Sequence, residues 1–205
     1  MQEFQSETKR KGKNEMQLKQ IETLCKHSKI INILETYTHQ WISDGFACYP
    51  LLKMPKLNEK TVLTVLNIPE SKANKYTVTV QPMYEHFNIN DDDLAEREIN
   101  KAWMSIMNAR PMKTSEGITF INDRYLKPLQ DLEYPKFFER KTESGQIYIV
   151  IKDGLFINAI IMPTLMLNQD FVKDMRELAE QCEIAYILKE DKKNGQKNNS
   201  NDQDD

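Results

Sequence analysis

The segment that decides the fold is GQIYIVIKDGLFINAIIM, residues 145–162. Its first half places Ile147, Ile149 and Ile151 at every second position, which is the period of a strand with one apolar face. Asp153-Gly154 follows, and Asp-Gly between two apolar runs is a strong local signal for a β-hairpin. Residues 155–162 are therefore predicted to return as a second strand, antiparallel to the first.

The residues before this hairpin predict a strand, a helical turn and another strand. The run 118–121 is rich in β-branched and aromatic residues. Asn122 or Asp123 can then cap a helical turn over 124–127, because short polar side chains accept hydrogen bonds from the first free N–H groups of a helix. Phe137-Phe138 opens the strand that precedes the hairpin.

A helix is predicted after the hairpin, with Asn168 or Asp170 as its cap. Its apolar side chains recur at helical spacing on one face: Phe171, Val172, Met175, Leu178, Ala179 and Cys182. The run 184–188 predicts a last edge strand. Residues 189–205 are almost entirely polar, so we expect them to form a disordered tail.

The N-terminal part of the chain predicts a similar series of elements. Residues 1–14 form a basic arm that we expect to be disordered, and residues 15–28 have the apolar spacing of a helix. Strand-like runs follow at residues 29–37, 39–42 and 46–49, with Ser43-Asp44-Gly45 as the turn before the last of them.

Between these two regions lie residues 51–116, which predict two helices and a strand. Asn58 is placed to cap a helix over 59–67. Residues 75–81 alternate apolar and polar side chains, as a half-buried strand does. A second helix is predicted from Asp91-Asp92-Asp93 to about Ala109, with an apolar stripe of Ala95, Ile99, Ala102 and Ile106.

These elements predict an α+β protein, with antiparallel sheets built from two similar halves and helices packed on one face. The halves are residues 15–50 and 117–163, and 51–116 is an insertion between them. We expect a single domain over residues 15–188, because a 205-residue chain with 40% hydrophobic residues can bury one sizeable core.

Bulk properties exclude several classes of protein. A net charge of −3 argues against a general polyanion binder, so any contact with nucleic acid must come from a local basic patch. Three widely separated cysteines indicate reduced thiols in a cytoplasmic protein. No run approaches the ~18 apolar residues that cross a bilayer, so we expect no membrane association.

The sequence contains no nucleophile elbow, Walker loop or zinc-protease motif, so we expect a non-enzymatic protein without a cofactor. Two metal sites can be drawn and are not favoured. Cys25, His27, His39 and Cys48 match no standard zinc spacing. Consecutive carboxylates such as Asp91–Asp93 more often compensate the dipole at a helix start than bind a metal.

Two groups of residues are compatible with base stacking or phosphate contact, and equally with a structural role. The first is aromatic: Tyr37, Trp41, Phe46, Tyr49 and Tyr76. The second is a basic cluster beside Phe137-Phe138: Lys136, Arg140 and Lys141. Aromatics that alternate along strands usually belong to a core, and lysines often protect a sheet edge.

The two halves share one order of elements: helix, strand, strand, Asp-Gly turn and strand. Both also end on a small residue, apolar residues and a proline, as ACYP at 47–50 and AIIMP at 159–163. We interpret this as an internal pseudo-repeat of elements rather than of residue identities.

The second half resembles the β-α-β-β-β unit of bacterial DNA sliding clamps. FINDRYLKPL, residues 120–129, is similar to the clamp's strand and its helix with a YLxxxL pattern, and AIIMP is similar to the end of the clamp's closing hairpin. ISDGFA, residues 42–47, is similar to the clamp's DGxxLA strand pair. Two departures are Pro128, which should end that helix early, and the insertion 51–116.

The resemblance implies a clamp-like, DNA-associated replication accessory module of a bacterial or phage system. Clamp helices line a basic pore over double-stranded DNA, and the matching positions here are Lys19, Lys26, Arg124 and Lys127. One such domain cannot close a ring, so a ring would require a homo-oligomer.

The alternative is a phage or mobile-element module that binds a protein and inhibits a host or defence complex. Its interface would use exposed aromatics, Asp91–Asp93 and the charged tails. An enzyme of unrecognised type is the third hypothesis.

Overall fold

The fold centres on an eight-stranded sheet, in a computed structural model that describes residues 17–90 and 95–199. The strands of the described residues are β1 (Ile30–Glu35), β2 (Gln40–Ser43), β3 (Ala47–Leu51), β4 (Thr77–Pro82), β5 (Arg97–Glu98), β6 (Ala109–Thr114), β7 (Gly117–Asn122), β8 (Pro135–Lys141), β9 (Ile147–Asp153) and β10 (Phe156–Ile161). The helices are α1 (residues 17–28), α2 (Glu59–Val65) and α3 (Gln169–Asn199). Within the same described ranges, three short 3-10 helices span Glu70–Lys75, Met83–Glu85 and Asp123–Leu129. The predicted α+β class, with mostly antiparallel strands, is confirmed.

The order of strands in the large sheet is β4-β1-β2-β3-β10-β9-β8-β5. Its centre is the antiparallel pair of β3 and β10, and on each side the strands of one half follow in mirrored order. The insertion supplies both edge strands, β4 and β5. β4 lies parallel to β1, while the other neighbours in the sheet are antiparallel. A separate antiparallel pair is formed by β6 and β7.

The hairpin of β9 and β10 forms as its sequence predicts. Asp153 pairs with Phe156, so Gly154 and Leu155 are the two loop residues. Gly154 has φ +63°, a left-handed conformation that costs glycine little. A bulge between Ile157 and Ala159 shifts the register of β10.

The large sheet is covered on both faces. On the first, which we call the helical face, alternate strand residues pack against α1, α2 and the Asp123–Leu129 helix, and this core includes Ile21, Leu24, Cys25, Ile33, Ile42, Tyr49, Val62, Leu66, Tyr125, Leu129, Ile149 and Ile151. On the second face the intervening residues pack against the segment after β4, in a core of Leu34, Trp41, Cys48, Met83, Tyr148, Val150, Ile157 and Ile160 with Phe87 and Ile89. The alternation follows from the two-residue period of strands.

Asn58 caps α2 as predicted. Its side-chain oxygen accepts hydrogen bonds from the backbone N–H groups of Lys60 and Thr61, each at 3.0 Å. The Thr61 hydroxyl in turn accepts a hydrogen bond from the backbone N–H of Asn58 at 2.8 Å, which completes a capping box.

The predicted helix from Asp91 to Ala109 is wrong over the described residues. Residues 95–109 contain β5 and the start of β6. Met107 and Asn108 have φ +51° and +63°, which a right-handed helix cannot accommodate. The apolar spacing of Ala95, Ile99, Ala102 and Ile106 is therefore coincidental. Residues 91–94 lie outside the described residues.

Helix α3 begins as predicted, because the Asn168 side-chain oxygen accepts a hydrogen bond from the Phe171 N–H at 2.8 Å. It then continues to Asn199, so the strand predicted at 184–188 is wrong. Residues 189–199 are helical where a disordered tail is predicted. No proline occurs between Gln169 and Asn199, and the helix continues through Gly195.

Contacts divide the chain into two units, which meet in sequence between Thr164 and Leu165. The single domain over residues 15–188 stays a prediction. The first unit carries the sheets and the second carries α3. The predicted disordered arm at residues 1–14 lies outside the described residues.

Candidate nucleic-acid interface

Two helical elements, one from each half of the chain, lie on the helical face. Helix α1 is fixed there by Ile21, Leu24 and Cys25, which are buried against the sheet. The Asp123–Leu129 helix begins where the Asn122 side-chain oxygen accepts a hydrogen bond from the Arg124 N–H at 3.0 Å. Pro128 lies inside this element, which is a 3-10 helix of 7 residues. The sequence predicts that Pro128 ends the helix early, and the element ends one residue after it, at Leu129.

A contact between Arg124 and His27 joins these two elements. The Arg124 Nη1 atom lies 3.4 Å from the His27 Nδ1 atom, although 97 residues separate them in the sequence. The C-terminal end of α1 therefore lies beside the start of the Asp123–Leu129 helix. His27 is a member of this site that the sequence analysis missed, and its only local signal is its position next to Lys26 in the last turn of α1.

Arg124 is held mainly by its neighbour Tyr125. Its Nη2 atom donates a hydrogen bond to the Tyr125 hydroxyl at 2.6 Å, and the guanidinium carbon lies 4.8 Å from the centre of that ring. Its Nε atom is buried without a hydrogen-bond partner among the described residues. Burial raises the pKa of Tyr125, and the bond from Arg124 opposes that rise. The charge of Arg124 is thus only partly available to a ligand.

The three predicted lysines differ in their surroundings. Lys26 forms an ion pair with Glu22, one turn earlier on α1. Lys19 and Lys127 are exposed, and neither forms an ion pair with a described residue. Lys19 on α1 and Lys127 on the Asp123–Leu129 helix are therefore two solvent-exposed positive charges on the helical face. Lys26 and Arg124 already contact neighbouring side chains.

The alternative zinc set is not assembled. Cys25 packs in the core of the helical face, while Cys48 packs on the second face of the sheet. Burial raises the pKa of each thiol to about 12, whereas zinc binds the thiolate. The His39 ring stacks with Trp41 at 5.8 Å. Across residues 17–90 and 95–199, no three His, Cys, Asp or Glu side chains converge as metal ligands.

The aromatic candidates divide between core and surface. Trp41 and Tyr49 are buried in the sheet, as core residues are. Tyr37 is fully exposed and Phe46 is half exposed, with the Phe46 ring 6.4 Å from that of Tyr125. Phe46 is therefore an exposed aromatic side chain close to the joint between the two helical elements.

The basic cluster beside Phe137-Phe138 is incomplete. Arg140 is buried and its guanidinium binds the Glu96 carboxylate, so it is not offered to a phosphate. Lys136 and Lys141 are exposed, but each forms an ion pair, with Glu98 and Glu116 respectively.

A separate groove of about 630 Å³ lies at the C-terminal end of β1 and beside the β8–β9 turn. Its lining includes the exposed rings of Tyr37 and Tyr84, with His86, Phe87 and Lys141. The lining is mixed in charge, because Glu35 and Glu143 also contribute to it. This groove offers aromatic contact area without the excess of positive charge that binding to a phosphate backbone needs.

Comparison of the chain with protein-family models, curated proteins and solved structures gives no match. Over the described residues, no helix combines the length and the apolar character needed to cross a membrane. Even α3, with 31 residues, is too polar to do so.

Proposed function

We propose that this protein is a non-enzymatic, clamp-like module that binds double-stranded DNA through its helical face. The observation that carries the proposal is the contact between Arg124 and His27, which sets one helical element from each half side by side on one face of a pseudo-symmetric sheet. A pair of helices in that position is what the resemblance to sliding clamps predicts. A replication accessory role in a bacterial or phage system belongs to the same proposal.

The side chains of this face suit contact with phosphates rather than with bases. Lys19 and Lys127 are open to solvent, so they can approach a phosphate without first losing a partner. Lys26 would have to leave Glu22, and Arg124 is engaged with Tyr125 and His27. Phosphate contacts orient a protein on DNA without reading sequence, so the binding is expected to be non-specific.

Salt dependence gives the sharpest test, because each phosphate contact releases bound counterions. The logarithm of the binding constant falls by about 0.9 per contact for each tenfold rise in salt. If all four residues contact phosphates, affinity falls about 150-fold between about 50 mM and about 200 mM salt. With the double variant Lys19→Glu and Lys127→Glu, two contacts remain, and the fall is reduced to about 12-fold.

Fluorescence anisotropy with a labelled 30-base-pair duplex measures both slopes. The matched control is Lys101→Glu with Lys113→Glu, two exposed lysines outside α1, β4 and the Asp123–Leu129 helix. This control changes net charge equally and should keep the wild-type slope. The proposal fails if the duplex is not bound at low salt, or if the control weakens binding as much as the test variant.

A second candidate function is binding to a protein, for example inhibition of a host or defence complex by a phage or mobile-element module. The observation that favours it is the exposed apolar side chains of α3, at Val172, Leu178, Ile184, Ile187 and Leu188. Saturable binding to one host protein that survives nuclease treatment would support this function. Loss of that binding in Leu178→Glu, with normal DNA binding, would separate the two functions.

A further inference from the structure

The two edges of the large sheet differ in how they are protected. β5 is only two residues long and both are charged, Arg97 and Glu98, which is a common protection against pairing with another chain. β4 is six residues long, and its sequence TVTVQP has no charged residue and no proline before its last position. The β4 edge therefore lacks the protection that the β5 edge has.

The backbone of β4 presents free hydrogen-bonding groups. The Thr77 N–H donates to the Lys29 carbonyl at 2.9 Å, and the parallel register continues from Ile30–Thr77 to Glu35–Pro82. Because groups in such a ladder alternate, Thr77, Thr79 and Gln81 turn their N–H and C=O groups toward β1. Val78 and Val80 turn theirs outward, where no other described strand pairs with β4.

Side chains leave this edge accessible. Val80 is 39% exposed, and Thr77 is also exposed. Val78 is half buried against the core of the helical face, which fixes the orientation of the strand. The edge is therefore held rigidly by β1 and by the core, with its outward backbone groups available to an incoming strand.

We propose that a second copy of this chain pairs with β4 in an antiparallel arrangement, about a two-fold axis at Thr79. Thr79 then lies opposite Thr79 of the second copy, and Val78 lies opposite Val80 of the second copy. Each Val78–Val80 pair exchanges two hydrogen bonds, so the axis generates four. Such an interface is isologous, because the same patch serves both copies.

Two features of β4 favour antiparallel pairing with a second copy. Val78-Thr79-Val80 reads the same in both directions, so each of these side chains meets its own type across the axis. The strand also starts at a basic end, with exposed Lys72 and Lys75. Antiparallel pairing places the basic ends of the two copies at opposite ends of the interface, whereas parallel pairing would bring the like charges together.

The axis is perpendicular to the sheet, because residues directly opposite in an antiparallel pair share a face. The sheet becomes continuous across both copies, and α1 of each copy lies on the same side. The helical faces of the two copies therefore lie next to each other on one side of the dimer. This inference stands independently of DNA binding, since it rests on the β4 edge alone.

Cysteine cross-linking tests the register directly, in the full-length chain with Cys182→Ser to remove the exposed native thiol. Thr79→Cys places two Cα atoms about 4.5 Å apart across the axis, within the range of a disulfide. Gln81→Cys is the matched control, since its two copies would lie roughly 13 Å apart along the strand. We expect at least tenfold more covalent dimer from Thr79→Cys, and equal yields from the two variants would overturn the proposal.

Light scattering after size exclusion provides a second measurement. At high protein concentration the unmodified chain should approach twice its 24.1 kDa mass. Val80→Pro removes an outward N–H without touching the β1 ladder, so it should give a monomer with an unchanged circular dichroism spectrum, while Val80→Thr should remain a dimer. A monomeric unmodified chain, or a folded Val80→Pro variant that still dimerises, would contradict the proposal. If Val80→Pro does not fold, the cross-linking yields decide the question.

Discussion

Replacing Glu96 with glutamine is predicted to destabilise the protein strongly, because this carboxylate forms ion pairs with two buried cations. Its Oε2 atom accepts hydrogen bonds from Arg140 Nε at 2.9 Å and Nη2 at 2.6 Å. Its Oε1 atom accepts one from Lys152 Nζ at 2.6 Å. The side chain of Arg140 is 0% exposed and that of Lys152 is 6% exposed, so water cannot solvate these two cations once the Glu96 charge is removed.

The size of the effect follows from burial and distance. Unit charges about 4 Å apart attract by about 4 kcal/mol at an effective dielectric constant of about 20. Removing one partner of a buried ion pair costs about 3–5 kcal/mol, since the remaining charge stays desolvated. Glu96 keeps 16% exposure, and glutamine still offers one acceptor oxygen, so we expect a loss near the lower end, about 3 kcal/mol.

Urea denaturation at 25 °C, followed by circular dichroism, measures this free energy of unfolding. Glu98→Gln is the matched control, because Glu98 pairs with Lys136, whose side chain is 60% exposed. That surface pair should contribute less than about 1 kcal/mol. A loss below about 1 kcal/mol for Glu96→Gln, or equal losses in both variants, would refute the assignment of Glu96 as the counter-charge of both cations.

Three further predictions follow from other parts of the chain. In the native protein only Cys182 should react with a thiol reagent within minutes, and Cys25 and Cys48 should react after unfolding in urea, since both are buried. Burial raises the pKa of the Cys25 and Cys48 thiols from an ordinary 9.0 to about 12, so these thiols lose their protons at lower pH in the unfolded chain than in the folded one. The free energy of unfolding should therefore fall as pH rises above about 9, by about 1.4 kcal/mol per thiol at pH 10. Unfolding midpoints in urea that stay constant from pH 8 to about 10.5 would contradict this prediction. Gly45→Ala and Gly145→Ala should each cost about 1–2 kcal/mol in the same assay, because both glycines have a left-handed backbone, at φ +93° and +84°. The added Cβ would meet Ile30 only at an ordinary contact distance of 3.4 Å at Gly45, and no atom at Gly145, so a much larger loss for Gly45→Ala would contradict this reasoning.

Local signals were sufficient for much of the sheet. The β9–β10 hairpin, the Asn58 cap and the three strands of the first half are encoded by side-chain alternation and turn residues within a few positions of each other. Strand β3 extends two residues beyond the predicted run 46–49, because Pro50 lies within it opposite Trp41 and the strand ends at Leu51.

Distant contacts explain what the sequence could not predict. Residues 95–109 match a helix by spacing, but Glu96 lies where it does because Arg140 and Lys152 bind it from β8 and β9. The parallel pairing of β4 with β1 similarly requires two segments that are far apart in the sequence. Local periodicity carries no information about either choice.

The candidate site shows the same division. The sequence and its resemblance to sliding clamps identify Lys19, Lys26, Arg124 and Lys127 as candidates, but they do not show which of the four charges is already engaged by a neighbouring side chain. Only the packing of α1 against the Asp123–Leu129 helix reveals that His27 meets Arg124 and that Tyr125 holds the guanidinium group.

The central pair of β3 and β10 also limits how early the sheet can form during synthesis of the chain. Ala47 of the first half pairs with Ile161 of the second half, about 110 residues later. The Tyr49 hydroxyl also donates a hydrogen bond from the first half to the Tyr125 carbonyl of the second half, at 2.8 Å. At about 5–20 residues per second, a ribosome needs about 5 to 25 s to supply the missing strand. During that interval the edge of β3 that later pairs with β10 has no partner strand from the second half. The fraction of chains that fold should therefore depend on how well this edge is kept from aggregating during synthesis.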